Sequence, residues 1–397
     1  MTNRDRYPYF FLLLYAVIYM ANAVYNTFIP VYLNDIGFNK TLTGAILAIG
    51  PLIAVATQPV WGLWGDRASS KNLILKIMLL GTAGVILLIP LSGHYYYLIA
   101  IIALFTFFQA SITPLSDAIT LEYLETSRWQ YGPIRMAGTL GFAVMSVIAG
   151  RVAEWKITMI FPLYSLIALF GFLSVFRLPV IHGHQKDGNR KMPWSLLKNK
   201  PVMLLIAFNF VIQITFGFYY SFFPIHFSQM GASSTLLGIA MLITSGSEIP
   251  FLLLADKIID RLGIPLTLVL SSLIISTRWL MLHFVSNLTV IMLVNASHGL
   301  SFIVFAYCLA VFINKNVPDE LKASGQTLNA VLCMGIARLL GSMLGGLFSD
   351  KVGIRQMFLY TSLLGFAAAC IFGTIFWVMN RKSAGRLKDR PVKFFRQ

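Results

Sequence analysis

The chain has 397 residues, 57% of them hydrophobic and 12% charged, and a formal net charge of +16. An average soluble domain is about 25% charged, and burying this much apolar surface in water would need a larger core than the length allows. The basic excess lies in short gaps between apolar runs and in the tail Arg381–Gln397, with no interleaved aromatic face, so no nucleic-acid partner is expected.

Met1 to Arg6 is polar and leads into a long apolar run without a small-residue cleavage site, which predicts a retained start anchor. A spanning helix needs about 20 mostly apolar residues. Twelve such runs follow, near 8–33, 41–65, 72–92, 95–121, 132–152, 157–179, 201–227, 235–259, 264–284, 287–313, 325–349 and 355–380. Most connections are short. The stretch 181–200 is the one sizeable polar insertion, and it divides the chain near its midpoint. The predicted organisation is an N-terminal six-helix bundle over 1–180, a cytoplasmic linker over 181–200, a C-terminal six-helix bundle over 201–380 and a basic cytoplasmic tail over 381–397. Cys308, Cys333 and Cys370 sit inside apolar runs and read as packing residues; no disulfide framework is available.

Orientation follows from the 31 Lys and Arg residues. With the N-terminus inside, the external loops hold only Lys40, Arg151, Lys156, Lys351 and Arg355. Arg135, Arg278 and Arg338 lie within runs, and the remainder are cytoplasmic. Both termini are therefore expected on the cytoplasmic side, in a bacterial inner membrane.

The two halves repeat. Tyr25, Phe28, Pro30, Gly37, Gly44, Asp66 and Arg67 recur as Tyr219, Phe222, Pro224, Gly231, Gly238, Asp260 and Arg261, each 194 residues later. Arg135-x-x-Gly138 is echoed by Arg338-x-x-Gly341. Two parallel six-helix repeats are an architecture of secondary transporters, whose substrate sites lie near the bilayer midplane.

Ionisable residues deep in a membrane are functional candidates by default; here they are Asp117, Arg135, Glu248, Arg278, His298 and Arg338. Three arginines against two carboxylates suit a polar or anionic solute, because the guanidinium fork matches carboxylates and vicinal hydroxyls. The bland alternative is interhelical pairing, for example Asp117 with Arg135. Asn22 and Asn26 share a helical face in the first run. Gln213 and Tyr219 add polar groups to the seventh. Such stripes suit a solvated cavity or interhelical hydrogen bonds about equally. No pattern of nucleotide, metal or nucleophile chemistry is present, so neither an enzyme nor a cofactor is expected.

Two stretches carry a family resemblance. Gly62 to Lys71, with Asp66-Arg67, resembles the cytoplasmic signature loop of the major facilitator superfamily, with Ser69 in place of its usual Gly. Gly62 is expected to let helices approach closely, and Asp66, Arg67, Asp260 and Arg261 to form the gate. Pro114 to Ala118, followed by Tyr131 to Phe142, resembles the fourth and fifth helices of the lactose-permease and phenylpropionate-permease branch. There an acidic residue and an Arg 18 positions later hold the substrate; Asp117 and Arg135 match them. Arg278-Trp279 and His298 match that branch's Arg and His. The resemblance implies an all-α membrane protein with the major facilitator fold. It implies a substrate site of Asp117, Arg135, Arg278, His298, Asn22, Asn26, Tyr219, Gln213, Trp279 and Arg338.

The resemblance breaks at one point. Lactose permease has a proton-carrying Glu three residues after the His, and this chain has Ser301. Glu248 is the best substitute, since a carboxyl in an apolar setting can cycle between protonated and charged forms; Asp117 is second. The function expected is a proton-coupled symporter importing a small sugar, nucleoside or aromatic acid. It would act as a monomer among membrane lipids, with the proton as coupling ion. A proton-antiport exporter is the alternative, although Gly138, Gly141 and Gly150 are too sparse for the exporters' fifth-helix signature. A non-transporting receptor is the other.

Overall fold

The computed structural model describes residues 7–125, 127, 129–182 and 199–386. The start segment, most of the predicted linker and the end of the predicted tail lie outside them.

In lipid an unpaired backbone group costs several kcal/mol, so a long apolar run can satisfy itself only as a helix. Among the described residues, twelve spans are long and apolar enough to cross a membrane. The first two are the single helices α1 (Tyr7–Asp35) and α2 (Lys40–Arg67). The third is α3 (Lys71–Val85) with a 3₁₀ end, Ile86–Leu91. The fourth divides into α4 (Tyr95–Gln109) and α5 (Ile112–Leu124). The fifth is α6 (Tyr131–Trp155), and the sixth is α7 (Ile160–Val175) after a 3₁₀ turn.

The seventh is α8 (Lys200–Gln229). The eighth divides at Ser247 into α9 (Ser234–Gly246) and α10 (Glu248–Leu262), and the ninth is α11 (Ile264–Phe284). The tenth runs through α12 (Leu288–Asn295), a 3₁₀ stretch Ala296–Leu300, and α13 (Phe302–Asn316). The eleventh holds α14 (Asp319–Asn329), a π-helical stretch Ala330–Ala337, and α15 (Arg338–Val352); the twelfth is α16 (Ile354–Arg386). Outward-facing Leu166, Phe170, Leu253, Leu293 and Ile371 give these helices an apolar exterior, as a lipid-facing surface requires.

The sequence repeat is also a repeat of hydrogen bonds. After α1, Phe38 N–H donates to Leu33 O and Gly37 N–H to Asn34 O, with Gly37 at φ 92°. After α8, Ala232 N–H donates to Phe227 O and Gly231 N–H to Ser228 O, with Gly231 at φ 88°. Each bond recurs at the same 194-residue offset. Only glycine takes this left-handed position without strain, which is why it stands at both helix ends.

Close packing divides the chain into two compact units. One comprises 1–189, 220–245 and 342–347; the other comprises 190–219, 246–341 and 348–397. The predicted halves are thus a division by repeat, and the units a division by packing. In the first unit, Phe11, Leu14, Ile18, Trp61, Leu75, Met78 and Ile119 form a buried core. There α6 approaches α1 through glycine: a Cβ at Gly141 would stand 2.5 Å from Ala16 O. In the second unit, α15 meets α8 by the same device, with a Cβ at Gly217 2.5 Å from Arg338 O. Phe208, Phe216, Phe305 and Trp279 are fully buried in that unit.

Candidate functional site

The first unit builds a polar cluster on α1, α5 and α6. Asp117, half-buried on α5, accepts hydrogen bonds from Tyr15 and from Tyr131, the latter at 2.7 Å. Both phenols bond the same oxygen, Oδ1. Arg135 lies one helical turn beyond Tyr131 and rests its guanidinium 4.2 Å from the centre of the Tyr19 ring. No ion pair joins Asp117 to Arg135 among the described residues. Asn22 faces inward, where its Oδ1 accepts from Gln109 Nε2 at 2.9 Å. A small cavity borders that bond, lined also by Thr113 and Tyr164. Asn26, one turn further along α1, is exposed.

The second unit builds a deeper cluster. Arg278, 2% exposed on α11, donates from Nη1 to Ser301 Oγ at 2.8 Å and from Nη2 to Asn295 Oδ1 at 3.4 Å. The same Nη1 stands 3.2 Å from His298 Nδ1. A guanidinium can only donate, so Nδ1 accepts and the imidazole proton sits on Nε2. That Nε2 lies 3.5 Å from Glu248 Oε1. Arg278, His298 and Glu248 therefore form one continuous line of polar contacts from α11 through the tenth span to α10. Ser301, at which the sequence resemblance breaks, anchors this line: it accepts from Arg278 and donates to His298 O at 2.6 Å.

The remaining predicted residues surround that line. Tyr219 OH donates to Asn295 Oδ1 at 3.1 Å, and its ring lies 4.5 Å from that of Trp279. Trp279 is fully buried and donates its indole N–H to Thr215 Oγ1 at 3.1 Å. Arg338 Nε donates to Gln213 Oε1 at 3.1 Å; Gln213 Nε2 reaches Asn209, and Asn209 Nδ2 bonds Asn329 at 2.9 Å. The π-helical stretch ends at Arg338, and such stretches often occur at functional sites because they shift a side chain's register.

One residue of the gate loop stands differently from expectation. A Cβ at Gly62 would meet nothing within 4 Å, so Gly62 mediates no close approach here; it is exposed. The tight position of that loop is Gly65, where a Cβ would meet Leu115 at 3.2 Å. Arg67, Asp260 and Arg261 are exposed at the ends of α2 and α10, while the side chain of Asp66 is outside the described residues. What holds this end of the first unit is Lys71, bonded to Glu122 at 2.7 Å, and Asn72. The Asn72 amide donates to Pro179 O and accepts from Ile181 N–H, both at 3.0 Å, pinning the start of the linker.

Tyr15, Tyr131, Gln109 and Asn295 were not anticipated as site residues. Tyr15 could have been found by carrying the stripe of Tyr19, Asn22 and Asn26 back one turn along α1, and Asn295 by stepping one turn back from His298. Among the described residues, no group of three or more His, Cys, Asp and Glu is placed to hold a metal ion.

Twelve apolar spans carrying two internal polar clusters define a polytopic membrane transporter. The chain belongs to the MFS_1 like family, whose model matches residues 6–360. It is 26% identical over 360 residues to the uncharacterized transporter YwbF of Bacillus subtilis (strain 168), covering 89% of this chain and 88% of that one. It is 27% identical over 361 residues to the maltose permease of Geobacillus stearothermophilus, covering 89% and 90%. Its fold matches the crystal structure of the nucleoside transporter NupG with a TM-score of 0.80 at 18% identity, over 95% of this chain and 99% of that one. It is an integral membrane protein with the major facilitator fold.

Proposed function

We propose that this protein is a proton-coupled symporter that imports a small, polyhydroxylated solute, a sugar or a nucleoside, by alternating access. It acts as a monomer in a bacterial inner membrane with both termini in the cytoplasm. The observation that carries the coupling is the line Glu248–His298–Arg278, in which a carboxylate meets a histidine N–H whose other nitrogen is held by a buried guanidinium. Protonating Glu248 removes the one negative charge of that line and leaves Arg278 uncompensated, so the protonation state sets the electrostatics of the whole cluster. Asp117 and Arg135 serve the solute: Asp117 offers an acceptor to a hydroxyl, and Arg135 stays half-buried over Tyr19 with donors to spare. The maltose permease and nucleoside transporter likenesses support hydroxyl-rich solutes as the first to try.

The test uses proteoliposomes of the purified protein and a solute found by thermal-shift screening of sugars and nucleosides, since a ligand stabilises the state it binds. Downhill solute influx should alkalinise the outer medium. Glu248→Gln should retain counterflow exchange and lose both the proton movement and uphill uptake. Uphill accumulation by that variant removes Glu248 from the coupling role, and solute influx without proton movement in the unsubstituted protein overturns symport.

A further inference from the structure

Glu248 and His298 each sit at a helix break. Glu248 opens α10 after Ser247, and His298 lies in the 3₁₀ stretch of the tenth span. These two breaks touch one another directly. Gly299 N–H donates to Ser247 Oγ at 2.8 Å. A Cβ on Gly299 would overlap the Ser247 carbonyl and stand 2.8 Å from Glu248 N, so the two backbones meet with only a hydrogen between them. Ser247 stands at the N-cap position of α10, yet its hydroxyl makes no cap bond there and accepts from Gly299 of the tenth span.

The break in the tenth span is itself held open. Ser271 Oγ, from α11, lies 2.9 Å from Leu300 O and 3.2 Å from Ser301 O, the latter also accepting from Phe305 N–H at 3.4 Å. Ser301 N–H donates to His298 O at 2.9 Å. The conformation around Gly299 is therefore fixed from both sides.

We infer that Ser247 and Gly299 form a backbone clamp that sets the reach between the Glu248 carboxylate and His298, and so the coupling of proton to solute. Each clamp residue is the immediate chain neighbour of one of the paired groups. Neither touches the solute or carries the proton; both are positioning residues. The charged groups facing the pair are Arg278 on α11 and Arg338 on α15, and the clamp alters neither. The inference rests on the coupling role given to Glu248 above.

Ser247→Ala, Ser247→Thr and Gly299→Ala are compared with the unsubstituted protein in proteoliposomes. Counterflow exchange reports binding and turnover, and accumulation driven by a pH gradient reports coupling. Ser247→Ala and Gly299→Ala should lower accumulation about tenfold, the equivalent of one hydrogen bond between neutral groups, with exchange retained and the pH profile of uptake displaced. Ser247→Thr, which keeps the hydroxyl, should restore both. A purely structural role would lower exchange and accumulation together. An unchanged ratio of accumulation to exchange in Ser247→Ala overturns the clamp, and that variant adds no atom, so it decides the matter even where Gly299→Ala fails to fold. If the unsubstituted protein moves no proton with solute, the coupling reading falls and the clamp with it; if it does and the ratio is unchanged, the clamp alone falls.

Discussion

Replacing Asp117 by Asn isolates one charge with almost no change of shape. Both phenols, from Tyr15 and Tyr131, bond Oδ1, and an asparagine can present its carbonyl oxygen to them in the same place. What changes is the second position of the carboxylate, where an acceptor becomes an amide donor. A solute hydroxyl that donated there loses a hydrogen bond to a charged group, worth about 1.5–3 kcal/mol. With 1.36 kcal/mol per decade, the dissociation constant should rise roughly 10- to 150-fold. Equilibrium binding to purified protein, by calorimetry or scintillation proximity, reads this directly, and thermal melting without solute should stay near that of the unsubstituted protein. Binding within about threefold of the original would sink the assignment of Asp117 to the solute. So would a matching loss of melting temperature, because Asp117 would then be a packing residue.

Three further substitutions probe the frame. Gly238→Ala places a Cβ against the backbone of Ser146 and 3.0 Å from Val147 Cα, so α9 must move off α6 at a cost of about 1–3 kcal/mol; an unaltered melting temperature would contradict the close approach. Its counterpart is Gly50→Ala in α2, where nothing lies within 4 Å and helix propensity should stabilise by up to about 1 kcal/mol. Asn72→Ala strips partners from Pro179 O and Ile181 N–H, at roughly 1–3 kcal/mol for each group left unpaired. Limited proteolysis should then cut faster around 178–182, and an unchanged rate would show that the anchor is not what holds that segment.

Most of the frame was legible because lipid leaves a chain few choices. An apolar run of spanning length must be helical, so run lengths gave the twelve spans, and glycines at the repeat offset marked the turns after α1 and α8. The interruptions were not legible. Ser247 and Ala296–Leu300 sit within spans of mean hydropathy 1.7 and 1.9, in the range of the other spans, and the second break meets a hydroxyl from another span, Ser271. The candidate site divides in the same way. Asp117, Glu248 and His298 stood out because charge is rare in a membrane, and the pairing of Glu248 with His298 is a matter of tertiary distance alone. Gly62 misled, because a small residue in a signature loop announces room for close approach without saying that a neighbour uses it.

The serine that holds the break in the tenth span has a bearing on how the protein is made. A segment whose helix is interrupted enters hydrocarbon reluctantly by itself. Ser271 belongs to the ninth span, which leaves the ribosome before the tenth. The hydroxyl is thus already in the bilayer when the broken segment arrives. The order of synthesis delivers the donor ahead of the acceptors, and the interrupted helix can be inserted as the second member of a pair.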